Sequence, residues 1–141
     1  MNTSAAFHLA IPVWNLNRCR VFYRDVLGCE EGRHSEHWVD FNFFGHQLVI
    51  HFKPKEQLSD HHANKVDGKQ VPVPHFGVIL SWENFESFSE HLKSKNIDFI
   101  IEPYIRFKGQ IGEQATMFFY DPSGNALEFK AFKDSSQIFA K

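Results

Sequence analysis

Cysteine is scarce in this sequence, and the two present, Cys19 and Cys29, do not form a CxxC pair. Neither a disulfide framework nor a cysteine-rich zinc knot can staple the chain, so we read both as reduced thiols of a cytoplasmic protein. Six prolines and eight glycines in 141 residues leave no room for a collagen-like or low-complexity segment. No apolar run approaches the roughly 18 residues that cross a bilayer, and residues 1–6 lack the basic start of an export signal. No block of like charge exceeds three residues, and 15 basic against 17 acidic side chains give a net charge of -2. A nucleic-acid or anionic-membrane partner is therefore not expected. What is abundant is phenylalanine, at 16 residues, and histidine, at nine. The rings are enough to fill the core of one domain spanning 1–141, and the histidines are a chemical hint.

The pattern reads as one plan used twice. Phe7 to Val13 is a strand, Asn15 or Asn17 caps a helix with Cys19, Phe22, Tyr23 and Val26 on one face, and Gly28 ends it. Strands follow at about Cys29 to Arg33, Trp38 to Phe44 and Gln47 to Phe52. A polar stretch, 54–73, reads as a connector without apolar periodicity, and adjacent His61 and His62 within it read as solvated. The order then returns: a strand His75 to Leu80, a helix capped by Ser81 with Phe85, Phe88 and Leu92 on one face, and strands Ile97 to Ile101, Ala115 to Tyr120 and Ala126 to Ala131. The first strands are offset by 67 residues and the FNFF and MFFY strands by 76. The extra length falls in Pro103 to Gln114, read as a mobile loop covering a site. The expected fold is α+β, with βαβββ modules at about 6–53 and 74–132.

Each half opens on a histidine, His8 and His75, and the last strand of the second half carries Glu128. Repeat-related strands predict that two imidazoles and one carboxylate converge, a set that suits Fe(II), Mn(II), Ni(II) or Zn(II) and leaves positions open for substrate oxygens. Either Val49 or His51 falls opposite Glu128, two residues apart and on the same strand face, so His51 is read as a fourth ligand or a partner of one.

The segments FHLAIPVWNLNRCRVFYRDVLGCEEG, PVPHFGVIL and GEQATMFFYDPSGNALEFKAF resemble the vicinal oxygen chelate superfamily, which includes glyoxalase I, bleomycin-resistance proteins, methylmalonyl-CoA epimerase and extradiol dioxygenases. The resemblance implies paired βαβββ modules cupped around a metal, with His8, His75 and Glu128 at the ligand positions. Positions Val49 and His51 supply no carboxylate or amide of the kind that glyoxalase I and the epimerase use. The chain looks most like small predicted dioxygenases of the extradiol type, which implies an Fe(II) enzyme acting on a small catechol-like substrate and a homodimer. The tyrosine that extradiol enzymes place ten residues before the glutamate is Phe118 here, and their loop histidine falls near Lys108 and Gly109. Proton transfer then falls to Tyr120, Tyr104, Lys108, Arg106 or His51. The alternatives are a metal-dependent lyase or isomerase, and a non-catalytic small-molecule binding protein.

Overall fold

The computed structural model describes residues 4–58 and 62–141, so the expectation for His61 lies outside the described residues. Two compact units divide the chain, one comprising Met1–Asp60 with Asp121–Asn125, the other His61–Tyr120 with Ala126–Lys141. No helix among the described residues is long and apolar enough to cross a membrane.

The first unit contains β1 (His8–Val13), α1 (Leu16–Val21), which continues as a π-type turn over Phe22–Val26, β2 (Glu30–His34), β3 (Trp38–Phe43) and β4 (His46–Phe52). Asn15 starts α1 by accepting the Arg18 amide at 3.0 Å, and Gly28 takes up a left-handed φ of 78° after it. The strands order as β1-β4-β3-β2, with β1 parallel to β4 and the others antiparallel. Alternation along these strands sends Ile11, Val13, Val39, Phe41, Leu48 and Ile50 into the core, where the Tyr23 ring lies 5.6 Å from Phe41. The opposite face receives His8, Ala10, Gln47, Val49, His51 and Asp40. The turn segment Asp121–Asn125 belongs to this unit. Tyr23 donates to Asp121 at 2.8 Å, the Trp14 amide donates to the Ser123 hydroxyl at 3.0 Å, and Asn125 donates to the Pro12 carbonyl at 2.9 Å. Cys19 and Cys29 are free and buried, which pushes both thiols up to about 12.

The second unit contains β5 (His62–Val66), β6 (Lys69–Val73), β7 (Ile79–Leu80), α2 (Trp82–Ser94), β8 (Phe99–Arg106), β9 (Gln114–Tyr120) and β10 (Ala126–Phe132). Its sheet runs β7-β10-β9-β8, and β5 and β6 form a separate hairpin. Ser81 caps α2 through the Asn84 amide, and Phe85 and Leu92 are buried on its inner face. There Phe88 meets Phe129 edge-on at 4.9 Å, and Phe129 stacks on Phe119 at 5.8 Å. Each unit thus carries one βαβββ set, and the class is α+β as expected.

Three local expectations are corrected. The polar connector folds in part into the β5–β6 hairpin, because Asp67 and Gly68 both adopt positive φ, 51° and 75°, and make a tight Asp-Gly turn that needs no apolar alternation around it. The loop read as Pro103 to Gln114 is mostly strand at its start. β8 continues to Arg106 across a register shift between Ile101 and Tyr104, and an edge strand tolerates a proline there. The strand His75 to Leu80 shrinks to two residues plus a bridge at Phe76, since Gly77 presses flat against β10. The ladders also settle the open register. His8 lies opposite Gln47, and Phe76 opposite Leu127, so the first-unit counterpart of Glu128 is Val49.

Candidate metal site on the second sheet

Gly77 brings the chain to the site. A Cβ built there would lie 1.5 Å from the Glu128 carbonyl oxygen, so only glycine allows the backbone so close. The approach is held by the Glu128 amide donating to the Phe76 carbonyl at 2.8 Å and the Lys130 amide to that of Val78 at 3.3 Å. His75, two residues earlier, thereby lands over Glu128, with Nε2 3.2 Å from Oε1. An open cleft of about 260 Å³ runs along these residues and Ile79 and Lys130.

The orientation of His75 follows from its other nitrogen. A carbonyl oxygen only accepts, so Nδ1 carries a proton donated to Pro72 at 2.6 Å, and the lone pair of a neutral ring points from Nε2 toward the carboxylate. Two acceptors at that distance repel unless a proton or a cation lies between them. With a proton there, the hydrogen bond to Glu128 raises the His75 pKa against the effect of burial. For Glu128, burial pushes the carboxyl up, yet bonds from His75 and Thr116 prevail and its pKa is lowered. Thr116 donates its hydroxyl to Oε2, and the Phe118 ring meets the His75 ring edge-on at 5.1 Å.

These donors fit a divalent ion. One imidazole nitrogen and one carboxylate oxygen stand near the edge length of about 3 Å expected for ligands bonded at about 2.1 Å, and the pairing of nitrogen with oxygen suits borderline and hard metals. His8 is prepared in the same manner within the first unit. Its Nδ1 meets the Gln47 amide oxygen at 2.8 Å, and the Gln47 nitrogen donates to Asp40 at 3.5 Å, which leaves His8 Nε2 as the free donor. Among the described residues no three His, Cys, Asp or Glu side chains stand together as a ready ligand set.

Of the residues singled out in the sequence, the structure brings His75 and Glu128 together, while His8 belongs to the first unit. His51 sits on β4 four residues beyond Gln47, the residue that bonds His8. Tyr120 is exposed at the end of β9, on the strand face of Phe118. Tyr104 and Arg106 are both engaged by Asp67, at 2.9 and 2.6 Å, and Lys108 is exposed in the loop that follows β8. Sequence reasoning missed Gly77, Gln47, Thr116 and the Pro72 carbonyl. A lone glycine inside an apolar strand was the one available signal, since it marks close backbone approach.

The family model described as the Glyoxalase/Bleomycin resistance protein/Dioxygenase superfamily matches residues 6–129. Among solved structures, a glyoxalase/bleomycin resistance protein/dioxygenase from Alicyclobacillus acidocaldarius is 34% identical, covers 98% of this chain and 99% of its own, and superposes with a TM-score of 0.77. Lactoylglutathione lyase from Agrobacterium tumefaciens (20% identity, 94% and 97% covered, TM-score 0.67) is similar in fold. So is the fosfomycin resistance protein FosX from Listeria monocytogenes (19%, 98% and 100%, 0.69). No curated protein matches the chain.

Proposed function

The chain belongs to the glyoxalase/bleomycin resistance protein/dioxygenase superfamily, and we propose that within it the chain is a metal-dependent enzyme binding the two neighbouring oxygens of a small substrate. The first chemistry to test is Fe(II)-dependent dioxygenase cleavage of a catechol-like ring. His8, His75 and Glu128 are the proposed ligands, and the working form is proposed to be a homodimer. The observation that carries the reading is the prepared pair: His75 Nε2 and Glu128 Oε1 face each other at 3.2 Å, each fixed from behind, by Pro72 and by Thr116.

A bound divalent ion would supply Lewis-acid stabilisation of charge on the substrate oxygens and, as Fe(II), the redox partner for oxygen. The chain's own residues do the rest. Pro72 holds the Nδ1 proton of His75, and Gln47 that of His8, so both rings present Nε2. Thr116 holds the far oxygen of Glu128, which keeps the near one turned to His75. Phe118 packs against the His75 ring and limits its tilt. Tyr120 is the proposed proton donor, because Tyr104 and Arg106 already bond to Asp67.

Metal analysis of untagged protein purified without chelator, repeated on His8→Ala, His75→Ala and Glu128→Ala, tests the ligands. We expect close to one ion per chain in the parent and almost none in each variant; unchanged metal in any of them removes that residue from the set. Oxygen uptake with a panel of catechols then tests the reaction. Turnover without oxygen on Ni(II) or Zn(II) would replace it by a lyase or isomerase, and stoichiometric ligand binding without turnover by a binding protein.

A further inference from the structure

The β5–β6 hairpin is tied down at both ends. At its tip, Asp67 Oδ2 accepts from the Tyr104 hydroxyl at 2.9 Å and from Arg106 Nε at 2.6 Å, while Lys69 Nζ lies 4.7 Å over the Tyr104 ring. At its root, the Pro72 carbonyl takes the Nδ1 proton of His75. These anchors stand at opposite edges of one sheet, because β8 carries Tyr104 and Arg106 while His75 leads into β7, and the order is β7-β10-β9-β8. They also stand on one face. Tyr104 lies opposite Thr116, Thr116 opposite Lys130, and Thr116 bonds Glu128, whose neighbour Phe118 packs on His75.

The lengths agree. Three strand spacings amount to about 14 Å, and the advance from Asp67 to Pro72 covers about 16 Å of extended chain. Thr116 and Phe118 on that face are only 2% and 3% exposed, whereas most of the hairpin is exposed. We propose that β5–β6 is a strap drawn across the Glu128-bearing face, latched at Asp67, and that the latch positions the His75 imidazole through the Pro72 carbonyl. Asp67 is thus a positioning residue acting from the far edge of the sheet. The strap also bounds the space above Glu128, so it sets how large a ligand can reach that carboxylate. Its use rests on His75 being a working metal donor, but its mechanics do not, and they are read on metal-free protein.

Hydrogen exchange mapped along the chain, together with ¹⁵N spectra of the His75 ring, tests the strap in Asp67→Ala, Asp67→Asn and Tyr104→Phe. In Asp67→Ala, exchange across residues 62–73 rises about tenfold or more while β8, β9 and β10 keep their protection. The slowly exchanging Nδ1 proton of His75 is lost, with ring nitrogen shifts moving toward a mixture of tautomers. Asp67→Asn, which can still accept from Tyr104, restores part of both signals, and Tyr104→Phe falls between parent and Asp67→Ala. Unchanged exchange in the hairpin, an equal rise throughout the second unit, or an unmoved His75 signal each overturns the proposal. A parent protein that binds no metal would defeat the proposed function while leaving these readings intact.

Discussion

His8 and His75 open corresponding strands, and the two neighbourhoods reach one result by different means. In the first unit a six-residue parallel ladder joins β1 to β4, and a side-chain amide, Gln47, holds the His8 Nδ1. In the second, regular pairing is cut to two residues and a backbone carbonyl, Pro72, holds the His75 Nδ1. The counterpart of Gly77 is Ala10, which accommodates a Cβ within its ladder. His8 stays exposed beside a continuous ladder, whereas the second ladder is interrupted at Gly77, where the backbone closes on Glu128 and the imidazole stands over a half-buried carboxylate. Irregularity there is what makes the contact.

The comparison breaks most severely at Gly77. Gly77→Ala drives a methyl into the Glu128 carbonyl, so we expect a loss of about 3 kcal/mol or more in urea unfolding, together with any metal held by the proposed His75–Glu128 pair. The reciprocal Ala10→Gly costs only about 1 kcal/mol, as backbone entropy. If Gly77→Ala unfolds like the parent, close approach is not what positions His75. Next in size, if His8 is a ligand as proposed, Gln47→Ala weakens metal binding about 10- to 100-fold by freeing the His8 tautomer, read by competition titration with a chromogenic chelator. Affinity equal to the parent would show that His8 does not depend on Gln47.

Thr116→Val is of similar size and acts on folding stability. It removes the hydroxyl bonded to Glu128 and leaves a buried acceptor short of a partner, for an expected loss of about 1–3 kcal/mol. The smallest effect concerns Glu31, held at 2.6 and 2.7 Å by the Arg20 fork, which lowers its pKa below the usual 4.5. A lowered folded pKa adds stability that is complete above pH 4.5 and disappears as pH falls through the folded value. Glu31→Gln should therefore lose about 0.5–1 kcal/mol at neutral pH and converge on the parent in acid, which thermal melts at several pH values would show. It lies in the first unit and leaves the His75 site unmoved.

The repeat was readable because apolar residues at periods of two and 3.6 survive in both halves, and caps at Asn15 and Ser81 marked the helix starts. His75 and Glu128 were readable as repeat-related polar residues on apolar strands. The β5–β6 hairpin was not, since HANKV and KQVPV carry little apolar alternation and their pairing depends on two positive-φ residues at the tip. Nor was the extension of β8, where Pro103 looked like a break and only the edge position excuses it.

Sequence alone determined the two βαβββ sets, their buried faces and the donor-type residues at their first strands. These are properties of local period and side-chain chemistry. Tertiary structure alone decided that Val49, rather than His51, corresponds to Glu128, that Gln47 and Pro72 hold the two imidazoles, and that Asp67 takes Tyr104 and Arg106. Each of those depends on register or on contact between distant segments, and a two-residue shift of register leaves the apolar pattern unchanged while altering every partner.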